Sequence, residues 1–177
     1  MEALAGHIEA AQDAVVTQQI QEPDLADMRT TLVVLVCDEQ TGLWGHTGDS
    51  RLYHLRQGRI IETTEDHSVV QKLVNAGELT KEATRTHPDR SRLHRAIGRK
   101  KLESTPRETP CALQPGDAFL ICSDGFWEYI YGVEIEVDFA KAPNPEAWLA
   151  LLELRVMARA PEKNDNYSTI GVYSGTI

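Results

Sequence analysis

The sequence predicts an α+β fold in which antiparallel sheets carry helices on their outer faces. Three observations lead there. Between Thr30 and Thr64 the chain alternates β-branched apolar runs with tight-turn residues. A second apolar run, "DAFLICSD", follows the turn signal "QPGD". Helical periodicity shows at the start, in the middle and near the end, so the helices do not alternate with strands as parallel βαβ units require.

The elements follow in order. Glu2–Gln21 reads as a helix, with Leu4, Ile8, Ala11 and Val15 on one face and Pro23 closing it. "TTLVVLVCD" is almost continuously apolar and reads as a strand buried on both faces. "LWGHTGD", "RLYHLRQG" and "RIIETT" continue as an antiparallel meander, with a tight hairpin at Gly58. "HSVVQKLVNAG" is a short helix stopped by Gly77, and "LTKEATRTHP" is a further turn or two with Thr80 as N-cap. "DRSRLHRAIGRKK" is strongly basic within an acidic protein and reads as a mobile helical flap on the surface. "NPEAWLALLELRVMARA" is the clearest helix. Asn144 caps it, Pro145 stands in its first turn, and Trp148, Leu152 and Met157 mark its apolar face. "YSTIGVYSG" is the closing strand.

The 177 residues suffice for one domain with a real core. Apolar content of 41% and charged content of 25% are those of a globular chain and argue against disorder. The net charge of −9 argues against binding nucleic acid through its phosphates. Three cysteines, Cys37, Cys111 and Cys122, form no CxxC pair and read as reduced thiols, with Cys37 and Cys122 in the core. No stretch has the length of a membrane span and the N-terminus has no signal-peptide pattern, so a cytoplasmic location is expected.

Three aspartates carry the chemistry. Asp124 ends the "LICSD" strand, Asp49 follows Gly48 within strand sequence, and Asp165 precedes the last strand. Each alone is an ordinary turn residue. Taken together, they place carboxylates at strand edges of one sheet system, where mutual repulsion calls for a hard divalent cation such as Mg²⁺ or Mn²⁺. His67, His87 and His94 lack zinc spacing and suit local hydrogen bonds. Neither a GxxxxGK[ST] loop nor a GxSxG elbow is present. A pair of metals at such a site would activate water for hydrolysis of a phosphate monoester.

The strings "GDSRLYHLRQGRI", "TEDHS", "HPDRSRLHRAIG", "PGDAFLICSDGFWE" and "NDNYSTIGV" stand in the order seen in the bacterial branch of the metal-dependent, type-2C serine/threonine protein phosphatases, and the sequence resembles that family from about Met28 to Val172. The resemblance implies two packed antiparallel sheets, a β-sandwich, flanked by helices, with a dinuclear Mn²⁺ or Mg²⁺ centre. It implies Asp124 and Asp165 as core metal ligands, Asn166 beside the latter, and Asp49 as ligand to a further metal. It makes residues 67–98 a flap at the substrate cleft within a single 1–177 domain, and Trp127 a packing residue beneath the site. Arg90 and Arg92 of the flap are candidates for attracting a phosphorylated protein substrate.

The departures are as specific. Arg29 replaces the second Gly of the family's Gly-Met-Gly-Thr-Thr entry, and the Asp-Gly-x-Gly-Gly segment whose Asp bridges both metals has no counterpart. The domain is therefore expected to be incomplete at its N-terminus and inactive alone. Uncovered strand edges are expected to favour a homodimer. The alternative is a pseudophosphatase, a protein-binding module of the same fold.

Overall fold

The computed structural model describes residues 2–107 and 109–174. Thirteen regular elements follow one another: α1 (Glu2–Gln21), β1 (Leu32–Cys37), β2 (Thr41–Thr47), β3 (Arg51–Arg56), β4 (Arg59–Thr63), α2 (Val69–Asn75), β5 (Thr105–Pro106), β6 (Cys111–Ala112), β7 (Ala118–Cys122), α3 (Asp124–Trp127), α4 (Gly132–Lys141), α5 (Pro145–Arg159) and β8 (Thr169–Tyr173). They form two four-stranded sheets. One has the order β1-β2-β5 with β6 also on β2, the other the order β4-β3-β7-β8, and the registered pairs are antiparallel. The α+β class with two antiparallel sheets and helices is thus the observed one.

The chain forms two compact units. The first comprises Met1–Cys37, Gly42–Ser50 and Glu65–Cys111. Its core is made by Leu4, Ile8, Leu43 and Ile97, so α1 lies on the sheet through one stripe. Gly45 permits the approach: a Cβ there would stand 3.1 Å from the Ile8 side chain and 3.4 Å from that of Leu4. The next buried position on the helix is Gln12, one turn beyond Ile8, where an apolar face had been expected to continue through Ala11.

The second unit comprises Asp38–Thr41, Arg51–Thr64 and Ala112–Ile177. β7 is central in its sheet, with Leu52↔Ile121 on one side and Ile121↔Ile170 on the other. One face of this sheet packs under α5. Trp148, Leu152 and Val156 are buried, and the Trp148 indole N–H donates to the Ile135 carbonyl of α4 at 3.1 Å. Asn144 caps α5 as read from sequence, its Oδ1 accepting from the Ala147 N–H at 2.8 Å. At the opposite end of β7, the Arg56 guanidinium grips the buried Asp117 carboxylate with two bonds of 2.7 and 2.8 Å.

Several expectations are corrected. β2 and β3 belong to different sheets, so the meander is two hairpins. The change occurs at Gly48, whose φ of +105° and close approach to Thr31 leave no room for a side chain. β1 is half-exposed along its length and Cys37 is exposed, because this strand stands at a sheet edge and pairs only with β2 among the described residues. Met157 is 68% exposed; Val156 takes the core position on α5. The basic stretch from Asp89 to Lys101 contains no helix, and its Ala96, Ile97 and Gly98 are buried. α3 and α4 have no counterpart in the sequence reading.

Candidate active site

The second unit brings Asp124 and Asp165 together. Their strands are neighbours, with Cys122 registered to Thr169, so the residues just after β7 face the loop just before β8. One backbone and one side-chain bond extend the pairing past the strand ends: the Ser123 N–H donates to the Ser168 carbonyl, and the Ser168 N–H to Ser123 Oγ, both at 3.1 Å. The chain then turns into α3 at Asp124. Gly125 lies against the loop so closely that a Cβ would stand 2.7 Å from the Asn166 carbonyl oxygen and 3.1 Å from that of Asp165. Asn164 Nδ2 donates to the Gly125 carbonyl at 3.3 Å.

The two carboxylates are held alike. Asp124 Oδ1 accepts from the Gly125 N–H and Asp165 Oδ1 from the Asn166 N–H, each at 2.8 Å. The second oxygen of each has no hydrogen-bond partner among the described residues. Asp124 is half-buried and Asp165 exposed. Beneath them the packing is aromatic. Trp127 is 5% exposed with the Arg51 guanidinium 3.4 Å from its ring centroid, and Phe126 meets Tyr167 at 5.9 Å between centroids. Tyr167 anchors the loop by donating to Glu153 Oε1 at 3.0 Å, a bond that raises the phenol pKa. An open depression of about 530 Å³, lined by Met157, Asn164 and Asp165 among others, adjoins the loop.

The remaining candidates lie in the first unit. Asp49 is buried in the turn after Gly48, at 7% exposed. His67 braces that turn: its Nδ1 accepts from the Gly48 N–H at 3.1 Å, its backbone N–H donates to the Gly48 carbonyl at 2.8 Å, and Nε2 meets Thr105 Oγ1 at 2.8 Å. The ring stacks on His46 with centroids 4.4 Å apart. Burial, with lesser contributions from the positive charge of His46 and Arg95, pushes the His67 pKa down to about 3. Arg92 pairs with Asp89 at 3.1 Å, three residues away on the same turn, and Arg90 adjoins it in the same segment.

The donor set can be tested against the metal the fold implies. Two carboxylates on touching segments, each with an oxygen that accepts no hydrogen bond among the described residues, are donors of the kind a hard divalent cation completed by water would take. They are too few for two ions: among the described residues no three His, Cys, Asp or Glu side chains gather as a metal site requires.

The sequence points to both aspartates as candidates but not to the residues that hold their segments together. Ser123, Asn164 and Ser168 lie in the quoted strings and make the cross-strand bonds; nothing in their spacing distinguishes them from ordinary turn residues.

The structure thus sets Asp124 and Asp165 just past the ends of adjacent antiparallel strands within an α+β fold. The chain is 40% identical over 156 residues to the serine/threonine protein phosphatase PstP of Mycobacterium tuberculosis, which covers 88% of this chain and 30% of that protein. The crystal structure of the M. tuberculosis phosphatase PstP/Ppp superposes with a TM-score of 0.79 at 31% identity, over 93% of this chain and 68% of that one. The catalytic domain of a PstP in complex with two manganese ions gives a TM-score of 0.73 at 29% identity, over 90% and 65% of the respective chains. No family model matches the sequence. The chain belongs to the bacterial type-2C (PPM) serine/threonine protein phosphatase family. It spans between 30% and 52% of the length of curated relatives such as PstP and the Listeria welshimeri phosphatase stp.

Proposed function

We propose that this chain is the part of a phosphoprotein phosphatase that presents two of its metal-ligating carboxylates, Asp124 and Asp165, toward a phosphoserine or phosphothreonine monoester. The backbone approach of Gly125 to Asp165 and Asn166 carries this reading, because it fixes two acidic residues far apart in sequence on touching segments. Mn²⁺ or Mg²⁺ bound there would supply Lewis acidity and a water of lowered pKa. The protein's contribution is orientation: the Ser123–Ser168 bonds hold the segments in register, and the buried Trp127 stops α3 from shifting. Asp49 is the candidate for a further cation, and Arg90 and Arg92 for contact with the phosphorylated substrate.

With two clustered carboxylates, the chain by itself is expected to bind Mn²⁺ at one weak site and to turn over p-nitrophenyl phosphate poorly. Calorimetric titration with Mn²⁺ tests this. One site, lost in Asp124→Asn, supports the assignment; tight two-site binding shows ligands beyond these two; no binding at all favours a pseudophosphatase that keeps only the fold. Self-association through the open edge of β1 is part of the same proposal, as that strand exposes apolar side chains beside unpaired backbone groups. Among the described residues no helix is long and apolar enough to cross a membrane.

A further inference from the structure

An open cleft of about 460 Å³ in the first unit is lined by five cationic side chains, Arg29, Arg95, Arg99, Lys100 and Lys101, together with His94 and a single carboxylate, Glu103. In a chain of net charge −9 this is a concentration of the minority charge. Glu103 is already engaged by Arg95 at 3.1 Å and Lys101 at 3.4 Å. Among the described residues Arg29 donates to the carbonyls of Ala26 and Met28, and Arg99 to that of Leu93. Among the described residues no carboxylate pairs with Arg29, Arg99 or Lys100.

The protein holds these cations together by a dedicated clamp. Gln12 of α1 donates to the Arg99 carbonyl at 2.7 Å and accepts from the Gly98 N–H at 2.8 Å. Gln19, two turns further along the same helix, donates to the carbonyls of Met28 at 2.7 Å and Gly98 at 2.9 Å. Thr30 and Ile97 exchange backbone bonds between the two segments. Gly98 has φ +86°, and a Cβ there would stand 2.7 Å from the Met28 carbonyl oxygen and 2.8 Å from Gln19 Nε2. Glycine at 98 and two glutamines on one helix face thus set Arg29 beside Arg99 and Lys100. Holding like charges at close range without counter-charges costs free energy, which an anionic ligand would recover.

We propose that this cleft is a docking surface for an anionic stretch of a protein partner, acidic or multiply phosphorylated, built from residues other than Asp124 and Asp165. Naming that partner as a phosphoprotein substrate rests on the phosphatase reading; the surface itself does not. A peptide fits better than a nucleic acid, since among the described residues no Phe, Tyr or Trp lines the cleft to stack a base and the rest of the chain is acidic. Paired guanidinium groups favour the planar, two-oxygen recognition of carboxylate and phosphate.

The test is fluorescence anisotropy in EDTA, which silences any metal-held phosphate. The probes are a labelled phosphothreonine peptide flanked by glutamates, one flanked by phosphoserines and one flanked by neutral residues. Both anionic peptides are expected to bind more tightly than the neutral one, and to lose roughly tenfold in affinity in the Arg29→Glu/Lys100→Glu variant, whose two side chains are exposed. Arg29→Lys/Lys100→Arg should restore most of it, and Lys101→Glu provides a single-site check. Unchanged binding in the charge-reversed chain, with an unchanged melting curve, overturns the proposal. So does equal competition by an oligonucleotide at matched charge, which would mark a general polyanion surface. Turnover of p-nitrophenyl phosphate without this binding pattern leaves the phosphatase reading intact and removes the docking surface. The binding pattern without turnover does the reverse.

Discussion

Gly125 and His67 show how much local structure rests on single residues. At Gly125 backbone φ is ordinary, yet a methyl group would collide with two carbonyl oxygens of the 165–166 segment, and backbone cannot swing away as a side-chain tip can. Gly125→Ala is therefore expected to cost about 2 kcal/mol, seen as a lower midpoint in urea. It should also weaken Mn²⁺ binding, because the displaced loop carries Asp165. His67 works through its neutral form. With a folded pKa of about 3 against an ordinary 6.5, the unfolded chain takes up a proton that the native state refuses. Native stability from this group is complete above the ordinary value and falls on acidification through the window between the two, by up to about 1.4 kcal/mol per pH unit. His46, stacked on it and also depressed by burial, adds in the same direction, while Asp66 opposes and Arg95 reinforces. A Tm measured across this window should drop less steeply in His67→Gln. An identical slope in that variant would remove His67 as the cause.

At the scale of elements, the pair α4 and α5 is joined by an ionic network around Arg155. Its guanidinium meets both oxygens of Asp138, at 2.5 and 2.8 Å, and Glu134 at 2.9 Å, while Arg159 forks onto Glu134. Asp138 is 2% exposed, so removal of Arg155 strands a buried carboxylate that, among the described residues, keeps only Lys141, 4.0 Å away, in partial compensation. Arg155→Ala is expected to destabilise by about 3 kcal/mol in chemical denaturation, and Arg155→Met/Asp138→Leu to recover much of the loss. Arg159 holds the Glu134 carboxyl down to about 2, so this network also weakens under acid, as pH falls through that value. None of this was legible in the sequence. "GVEIEVDFAK" mixes charge with β-branched residues, and the acidic positions gain meaning only once α5 lies alongside. The strongly capped α5 and the Gly58 hairpin were legible because their signals are local. β1 misled for the opposite reason: an unbroken apolar run looks the same whether the strand is central or at an edge, and pairing decides. The basic segment misled similarly, since Gly98 and its glutamine clamp depend on residues some eighty positions apart. That Asp124 and Asp165 would fall on touching segments was legible because neighbouring antiparallel strands bring their adjoining turns together.

For the molecule as a whole, the open question of assembly follows from the sheet orders. β1 stands at the end of its sheet, and its Leu32, Val33, Val34 and Leu35 are half-buried while Val36 is 39% exposed. A long, flat, apolar edge strand is what soluble proteins normally blunt with a charge, a bulge or a covering segment. No charged residue interrupts this one, and its register with β2 runs without a bulge from Leu32↔Thr47 to Cys37↔Gly42. Among the described residues β1 pairs on one side only, and in the proposed dimer an antiparallel β1–β1 pairing would join two copies through one two-fold interface. The net charge of −9 opposes close approach, so association should strengthen as salt screens the repulsion. Sedimentation velocity is expected to show a monomer–dimer equilibrium that shifts toward dimer with added salt and with concentration. Val34→Lys should abolish it, since a charge placed at mid-strand would have to be buried in the joint sheet. A chain that stays monomeric at high concentration and high salt would show that the β1 edge does not accept a second strand.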